Sequence, residues 1–229
     1  MRIKLFIAFL LLFSSYSYAQ ISEVGGGIGA LSYSGDLQNG YRFLTNRPAG
    51  TLHIRSNLKK HVALKFGLTL GQLIGRDDPP RDAFAAQRNA SFNIFMVEAA
   101  AMIEYNFLDF MGYGAPYRWS PYFYAGAGLF TFFGSDDRNG TYSNVQPAIP
   151  IGFGFKYLYN PRWIIGLKFG ARATFFDYLD NISDGNRSVK NYQYGNSNTN
   201  DKYYFIGITL DYSFFNIPCP FPMKKPFRN

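Results

Sequence analysis

Val62-Ala63-Leu64-Lys65-Phe66-Gly67-Leu68-Thr69-Leu70-Gly71 alternates without a fault. Val62, Leu64, Phe66, Leu68 and Leu70 fall on one face, and Ala63, Lys65, Gly67, Thr69 and Gly71 on the other. A period of two held over about ten residues is a β-strand of membrane-spanning length. The pattern recurs at Ile149-Ile151-Phe153-Phe155-Tyr157 against Gly152-Gly154-Lys156, and at Trp163-Ile165-Leu167-Phe169-Ala171 against Gly166-Lys168-Gly170-Arg172. It recurs again where Tyr204, Ile206, Ile208, Leu210, Tyr212 and Phe214 oppose Phe205, Gly207, Thr209, Asp211 and Ser213. Weaker runs at Val24 to Ser32, Gly50 to Asn57, Asn93 to Phe107 and Pro121 to Phe133 bring the number of predicted strands to eight.

Alternation alone also fits a soluble barrel, so the sidedness of the apolar face decides the class. The other face is mostly Gly, Ala, Thr and Ser, with about one charge per strand: Arg55, Lys65, Glu98, Glu104, Lys156, Lys168, Arg172 and Asp211. Such a surface is too small and too sparsely charged to be the outside of a soluble protein, yet it suits a lumen that side chains must fill. The apolar face is therefore turned to lipid, and the fold class is an all-β, eight-stranded antiparallel transmembrane barrel of outer-membrane type.

The connections agree. Tyr33 to Pro48, Ile74 to Ser91, Gly134 to Gln146 and Asp177 to Asp201 are long and polar, whereas Leu58 to His61 and Tyr159 to Pro161 are short and Leu108 to Ser120 is intermediate. Long external loops alternating with short periplasmic turns put both termini in the periplasm. Phe107, Trp119, Tyr157, Trp163, Tyr212 and Phe214 then form an aromatic belt at the inner interface.

Composition supports this class. Aromatic residues make up 19% of the chain and charged residues only 17%, below the quarter or so usual for a soluble domain. Arg2 and Lys4, the apolar run Leu5 to Phe13 and Ser17-Tyr18-Ala19 before Gln20 have the layout of an export signal, too short to span as a helix. The predicted organisation is a signal peptide at 1–19, a barrel at 20–215 and a short periplasmic tail at 216–229. The net charge of +8 is scattered over turns, loops and the tail Met223 to Arg228 instead of gathered in a patch, which argues against nucleic acid as a partner.

No catalytic apparatus emerges. The two histidines, His53 on an inward strand face and His61 in a tight turn, lack the orienting partners of a nucleophile triad. Arg76-Asp77-Asp78-Pro79-Pro80 and Asp177-Tyr178-Leu179-Asp180 lack the acidic spacing and turn glycine of a calcium loop, so neither a metal nor a cofactor is expected. The inward charges are expected to pair and plug a lumen just wide enough for side chains. The tail Asn216-Ile217-Pro218-Cys219-Pro220-Phe221-Pro222 carries the single cysteine of the chain. Its prolines hold it extended, and a lone cysteine in an oxidising compartment suggests an intermolecular disulfide, with a free and idle thiol as the alternative. Pro218, Cys219 and Phe221 are the candidate partner-binding residues of this periplasmic docking element.

Tyr33-Ser34-Gly35-Asp36-Leu37, Arg88-Asn89-Ala90-Ser91-Phe92, Glu104-Tyr105-Asn106-Phe107, Ser120-Pro121-Tyr122-Phe123-Tyr124-Ala125-Gly126, Pro150-Ile151-Gly152-Phe153-Gly154-Phe155-Lys156-Tyr157 and Asp177-Tyr178-Leu179-Asp180-Asn181-Ile182-Ser183, with Cys219, resemble the PorG-like outer-membrane proteins of Bacteroidota. The likeness keeps its order over nearly the whole mature chain; Ala90 stands where the pattern has Leu. The resemblance implies a non-enzymatic component of the type IX secretion system, which serves gliding motility in gliding species. It also implies association with the periplasmic ring of PorK-like lipoproteins and PorN-like proteins. A general OmpX-like or OmpW-like surface barrel, working in adhesion or small-solute passage, is the alternative expectation, followed by a lipid-modifying barrel enzyme.

Overall fold

The structure, a computed structural model, describes residues 21–35, 46–76, 91–111, 115–134, 145–175 and 201–214. The predicted signal at 1–19, the tail with Pro218, Cys219 and Phe221, and the cluster Asp177 to Asp180 lie outside the described residues.

The eight strands are β1 (Ile21–Ser34), β2 (Arg47–Asn57), β3 (Val62–Arg76), β4 (Ser91–Asn106), β5 (Trp119–Phe133), β6 (Val145–Asn160), β7 (Trp163–Thr174) and β8 (Lys202–Phe214). Each pairs antiparallel with its sequence neighbour. β1 also pairs with β8, from Ser22↔Phe214 to Ser34↔Lys202, and closes the barrel. Closure leaves neither β1 nor β8 as an open sheet edge, as hydrocarbon demands.

Apolar side chains point out and charged ones point in. Ile28 is 78% exposed, and Phe153 and Leu52 each 61%, whereas Lys65 and Arg172 are at 1% and 0%. A wall this apolar is stable only against lipid, because in water it would expose a continuous hydrophobic belt. The predicted belt residues Phe107, Trp119, Tyr157, Trp163 and Phe214 are exposed and Tyr212 is half-buried, all at one end of the barrel. There Trp163 meets Tyr212 edge-on at 5.1 Å and Trp119 stacks on Phe155 at 5.3 Å.

The turns at this end are tight for local reasons. In the β2–β3 turn Lys59 N donates to Val62 O at 3.0 Å, and Val62 N returns a bond to Lys59 O. In the β6–β7 turn Asn160 Oδ1 accepts from Arg162 N (3.0 Å) and Trp163 N (2.9 Å), which folds the chain around Pro161. At the opposite end β5 runs into Gly134, whose φ of 103° suits glycine and ends the strand.

Two expectations require correction. The strands extend further into the segments taken as loops: β3 continues through Leu73 and Ile74 to Arg76, β4 begins at Ser91, β2 at Arg47 and β6 at Val145. The inward face is also not uniformly small and polar. Near the loop end it carries Leu31, Tyr33, Leu73, Phe92, Ile94, Met96, Phe130, Phe132 and Phe205, packed as one buried cluster. Once inward side chains are apolar too, alternation of hydropathy disappears although alternation of direction persists.

Candidate functional site: a lumen in three layers

The layer nearest the turn end is a charge cluster. Arg55 projects inward from β2 between the barrel's first and last strands, where it contacts Glu23 of β1 and Asp211 of β8, the latter at 2.8 Å. Its Nε also lies 2.8 Å from Glu104 Oε2 on β4. Glu104 is shared: Lys65 Nζ is 3.1 Å from one oxygen, and Lys156 Nζ donates to the other at 2.7 Å. Lys156 also donates to Asn106 Oδ1 at 3.0 Å and sits 4.4 Å above the Tyr122 ring. His53 Nε2 lies 2.9 Å from Asp211 Oδ1, and Asn57 donates to Glu23. Three carboxylates (Glu23, Glu104, Asp211) thus face three basic side chains (Arg55, Lys65, Lys156), so the layer is formally balanced. All six are buried. Gly25 makes room for part of this cluster, because a Cβ there would come within 2.0 Å of Asp211 Oδ1 and 2.8 Å of His53 Nε2.

The middle layer is built on Glu98. It accepts from Arg172 Nε at 3.1 Å and from the Tyr203 hydroxyl at 2.5 Å, while Arg172 Nη1 donates to Gly170 O at 3.1 Å. Lys168 differs from the other cations. Its ammonium lies over the rings of Tyr124 (4.8 Å) and Phe205 (5.5 Å) and has no carboxylate within ion-pair distance among the described residues. Tyr124 reaches this position by crossing Gly152 and Gly170, where a Cβ would meet its hydroxyl at 2.5 and 1.9 Å.

The layer toward the loop end is the apolar cluster. Tyr33 packs edge-on against Phe92 at 4.9 Å, Phe130 against Tyr203 at 5.7 Å, and the Tyr33 hydroxyl donates to Asp201 Oδ1 at 2.6 Å. The turn end is covered as well: Phe110, in the β4–β5 connection, is fully buried, and Asp109 beside it pairs with Lys60 of the β2–β3 turn at 3.1 Å. Among the described residues, buried side chains project into the lumen in each of these layers, as expected at this strand number.

All eight lumen charges identified from the sequence are buried within the barrel. Seven of them (Arg55, Lys65, Glu98, Glu104, Lys156, Arg172, Asp211) take part in ion pairs, and Lys168 does not. Glu23 was overlooked because it lies one residue before the predicted start of β1; its parity with Gly25, Gly27 and Gly29 marks it as inward. Asn106, Tyr122, Tyr124 and Tyr203 were overlooked as well, although their parity with Glu104, Ser120 and Phe205 carries the same signal. His61 is a turn residue whose Nδ1 lies 2.9 Å from Asn106 O and whose ring stacks on Tyr105 at 6.1 Å.

Among solved structures, Neisserial surface protein A superposes with a TM-score of 0.54 at 10% identity, over 84% of this chain and 97% of that one. At this identity the likeness concerns the fold alone. Ail, the attachment invasion locus protein of Yersinia pestis in complex with the heparin analogue sucrose octasulfate, matches at 0.48 and 13%, over 85% of this chain and 99% of that one. The outer membrane enzyme PagL matches at 0.38 and 14%, over 82% and 97%. No curated protein matches at a significant level. A family profile described as "Domain of unknown function (DUF6089)" matches residues 2–223, essentially the whole barrel, and the chain belongs to that family.

Proposed function

We propose that this protein is a non-enzymatic outer-membrane component of the type IX protein secretion system, a sealed barrel that anchors or organises a periplasmic ring of PorK-like and PorN-like subunits. The observation that carries this reading is the filled lumen. A charge cluster, a Glu98 layer and an apolar layer are stacked in series across the lumen, which favours work done at surfaces outside the wall over conduction through it. The described surroundings of the two histidines hold no hydroxyl or thiol nucleophile in hydrogen-bond contact with them: His53 Nε2 lies 2.9 Å from Asp211, and His61 Nδ1 meets the Asn106 carbonyl at a turn. The ordered sequence likeness to PorG-like proteins supplies the secretion context.

An even number of strands brings both ends of the barrel to its turn end. In this reading that end is periplasmic, and the tail with Pro218, Cys219 and Phe221 descends from it to the ring. The test is deletion of the gene in its own host, with type IX cargo followed in the medium, at the cell surface and in the periplasm. Cargo is expected to accumulate inside the cell. Unchanged export would overturn the assignment and leave a surface barrel of the adhesion or solute-passage kind. Non-reducing gels of whole envelopes add a second readout, in which a Cys219-dependent adduct of higher mass is expected.

A further inference from the structure

The two tryptophans of the chain, Trp119 and Trp163, stand at the turn-end starts of β5 and β7, and each directly follows an arginine, Arg118 and Arg162. β6 lies between β5 and β7, so the two Arg-Trp pairs flank one strand and the turn that follows it. Backbone bonds fix both pairs: Leu158 N donates to Arg118 O at 2.7 Å, and Ser213 N donates to Arg162 O at 2.8 Å. Arg118 leans toward the β6–β7 turn, with Nη2 3.5 Å from Tyr159 O, three residues before Arg162. Both arginine side chains are exposed. Tyr117 meets Trp119 at 6.4 Å, and Trp163 meets Tyr212 at 5.1 Å, so the guanidinium groups adjoin the aromatic belt.

Tryptophan and tyrosine rings settle at headgroup depth, which brings basic side chains beside them to the level of lipid phosphates. Among the described residues neither arginine has a carboxylate within ion-pair distance. Outside the lumen, the acidic residue described at this end is Asp109, and it pairs with Lys60. A zwitterionic headgroup would therefore bring an ammonium with no carboxylate to receive it. A headgroup whose only charge is its phosphodiester meets two planar forks shaped for phosphate oxygens.

We propose that the β5–β7 sector of the turn end binds an anionic phospholipid of the phosphatidylglycerol type, with Arg118 and Arg162 on its phosphate and the upper part of its acyl chains along Trp119 and Trp163. The site rests on the reading that the turn end is periplasmic, because that leaflet is built of phospholipid and the opposite one of lipopolysaccharide.

The tryptophans supply the test. The full chain is folded into phosphatidylcholine vesicles that contain either phosphatidylglycerol or phosphatidylcholine brominated near the ester end of its chains, at equal mole fraction. Heat-modifiable gel migration reports that each variant is folded. Quenching then reports the lipid beside Trp119 and Trp163, since the chain has no other tryptophan. Brominated phosphatidylglycerol is expected to quench well beyond brominated phosphatidylcholine. That preference should fall about fivefold in Arg118→Gln and in Arg162→Gln, the factor expected for one basic side chain at a charged membrane surface, and vanish in the double variant. Lys59→Gln, in the β2–β3 turn on the opposite side of the barrel, should leave it unchanged.

Equal quenching by the two lipids, a preference that survives the double variant, or an equal loss in Lys59→Gln would each overturn the site; the last would mean diffuse attraction to the whole basic end. Displacement of the brominated lipid by unlabelled lipid A more readily than by phosphatidylglycerol would also overturn it and make the opposite leaflet the source. If the two lipids quench equally while the double variant blocks type IX export, the arginines face an acidic protein surface instead. The vesicles contain no secretion machinery, so failure of the lipid site and failure of the secretion role are read separately.

Discussion

Glu104 shows how one side chain can hold a lumen together. It is fully buried, and Arg55, Lys65 and Lys156 converge on its two oxygens. Desolvating so many charges is costly, and the arrangement is stable only because each charge keeps a partner. Glu104→Gln removes the charge while nearly preserving the shape, which leaves three buried cations with two carboxylates. The expected loss is about 3–5 kcal/mol, read as a shift of the urea unfolding midpoint in detergent micelles or lipid vesicles. Gly25→Ala tests the space around the neighbouring pair. Its Cβ would collide with Asp211 and His53, and forcing them apart should cost about 1–3 kcal/mol by the same measurement. That these residues face inward was legible from parity alone, since every second position of a spanning strand shares a face. Which of them pair was not legible. Arg55 and Asp211 lie 156 residues apart and meet only because β1 closes on β8.

At the level of the strands, lipid outside and packed side chains inside exert different selection along the same element. The outward face is apolar throughout its span, so a charge there is costly in proportion to its depth. Ile208→Lys, at mid-strand in β8 and 55% exposed, should destabilise by about 2–4 kcal/mol, whereas Phe214→Lys at the belt should cost roughly 0–1 kcal/mol. Equilibrium folding into vesicles measures both, and equal effects would place the belt elsewhere. The same asymmetry explains which boundaries could be read from sequence. Strands β3, β6, β7 and β8 alternate plainly because small or charged residues lie opposite large apolar ones. Leu73, Ile74, Phe92 and Ile94 are inward or strand-end residues as apolar as their outward neighbours, so the periodic signal fades where the apolar layer begins, and the loop-end boundaries of β3 and β4 were set short. In β1 the weakness is different: Gly25, Gly27 and Gly29 carry no hydropathy of their own, and only Val24, Ile28 and Glu23 mark the faces.

For the molecule as a whole, the stacking of three packed layers determines what the barrel can do. A path for ions would need a gap through the charge cluster, the Glu98 layer and the apolar layer together, and each is filled by buried side chains from several strands. Reconstituted into a planar bilayer, the protein should show no large stable openings. If the barrel is an anchor and its partners are engaged outside the wall, lumen substitutions that leave it folded should spare secretion. Lys168→Met is the informative choice, because this lysine makes no ion pair among the described residues and its removal strands no carboxylate. Expressed in the deletion strain, Lys168→Met should restore export of type IX cargo to the wild-type level. A chain ending after Asn216, which lacks Pro218, Cys219 and Phe221, should instead assemble a heat-modifiable barrel and leave cargo inside the cell. The two variants separate lumen from tail: export lost in the first and kept in the second would move the working part of the protein from its turn-side tail to the interior of the barrel.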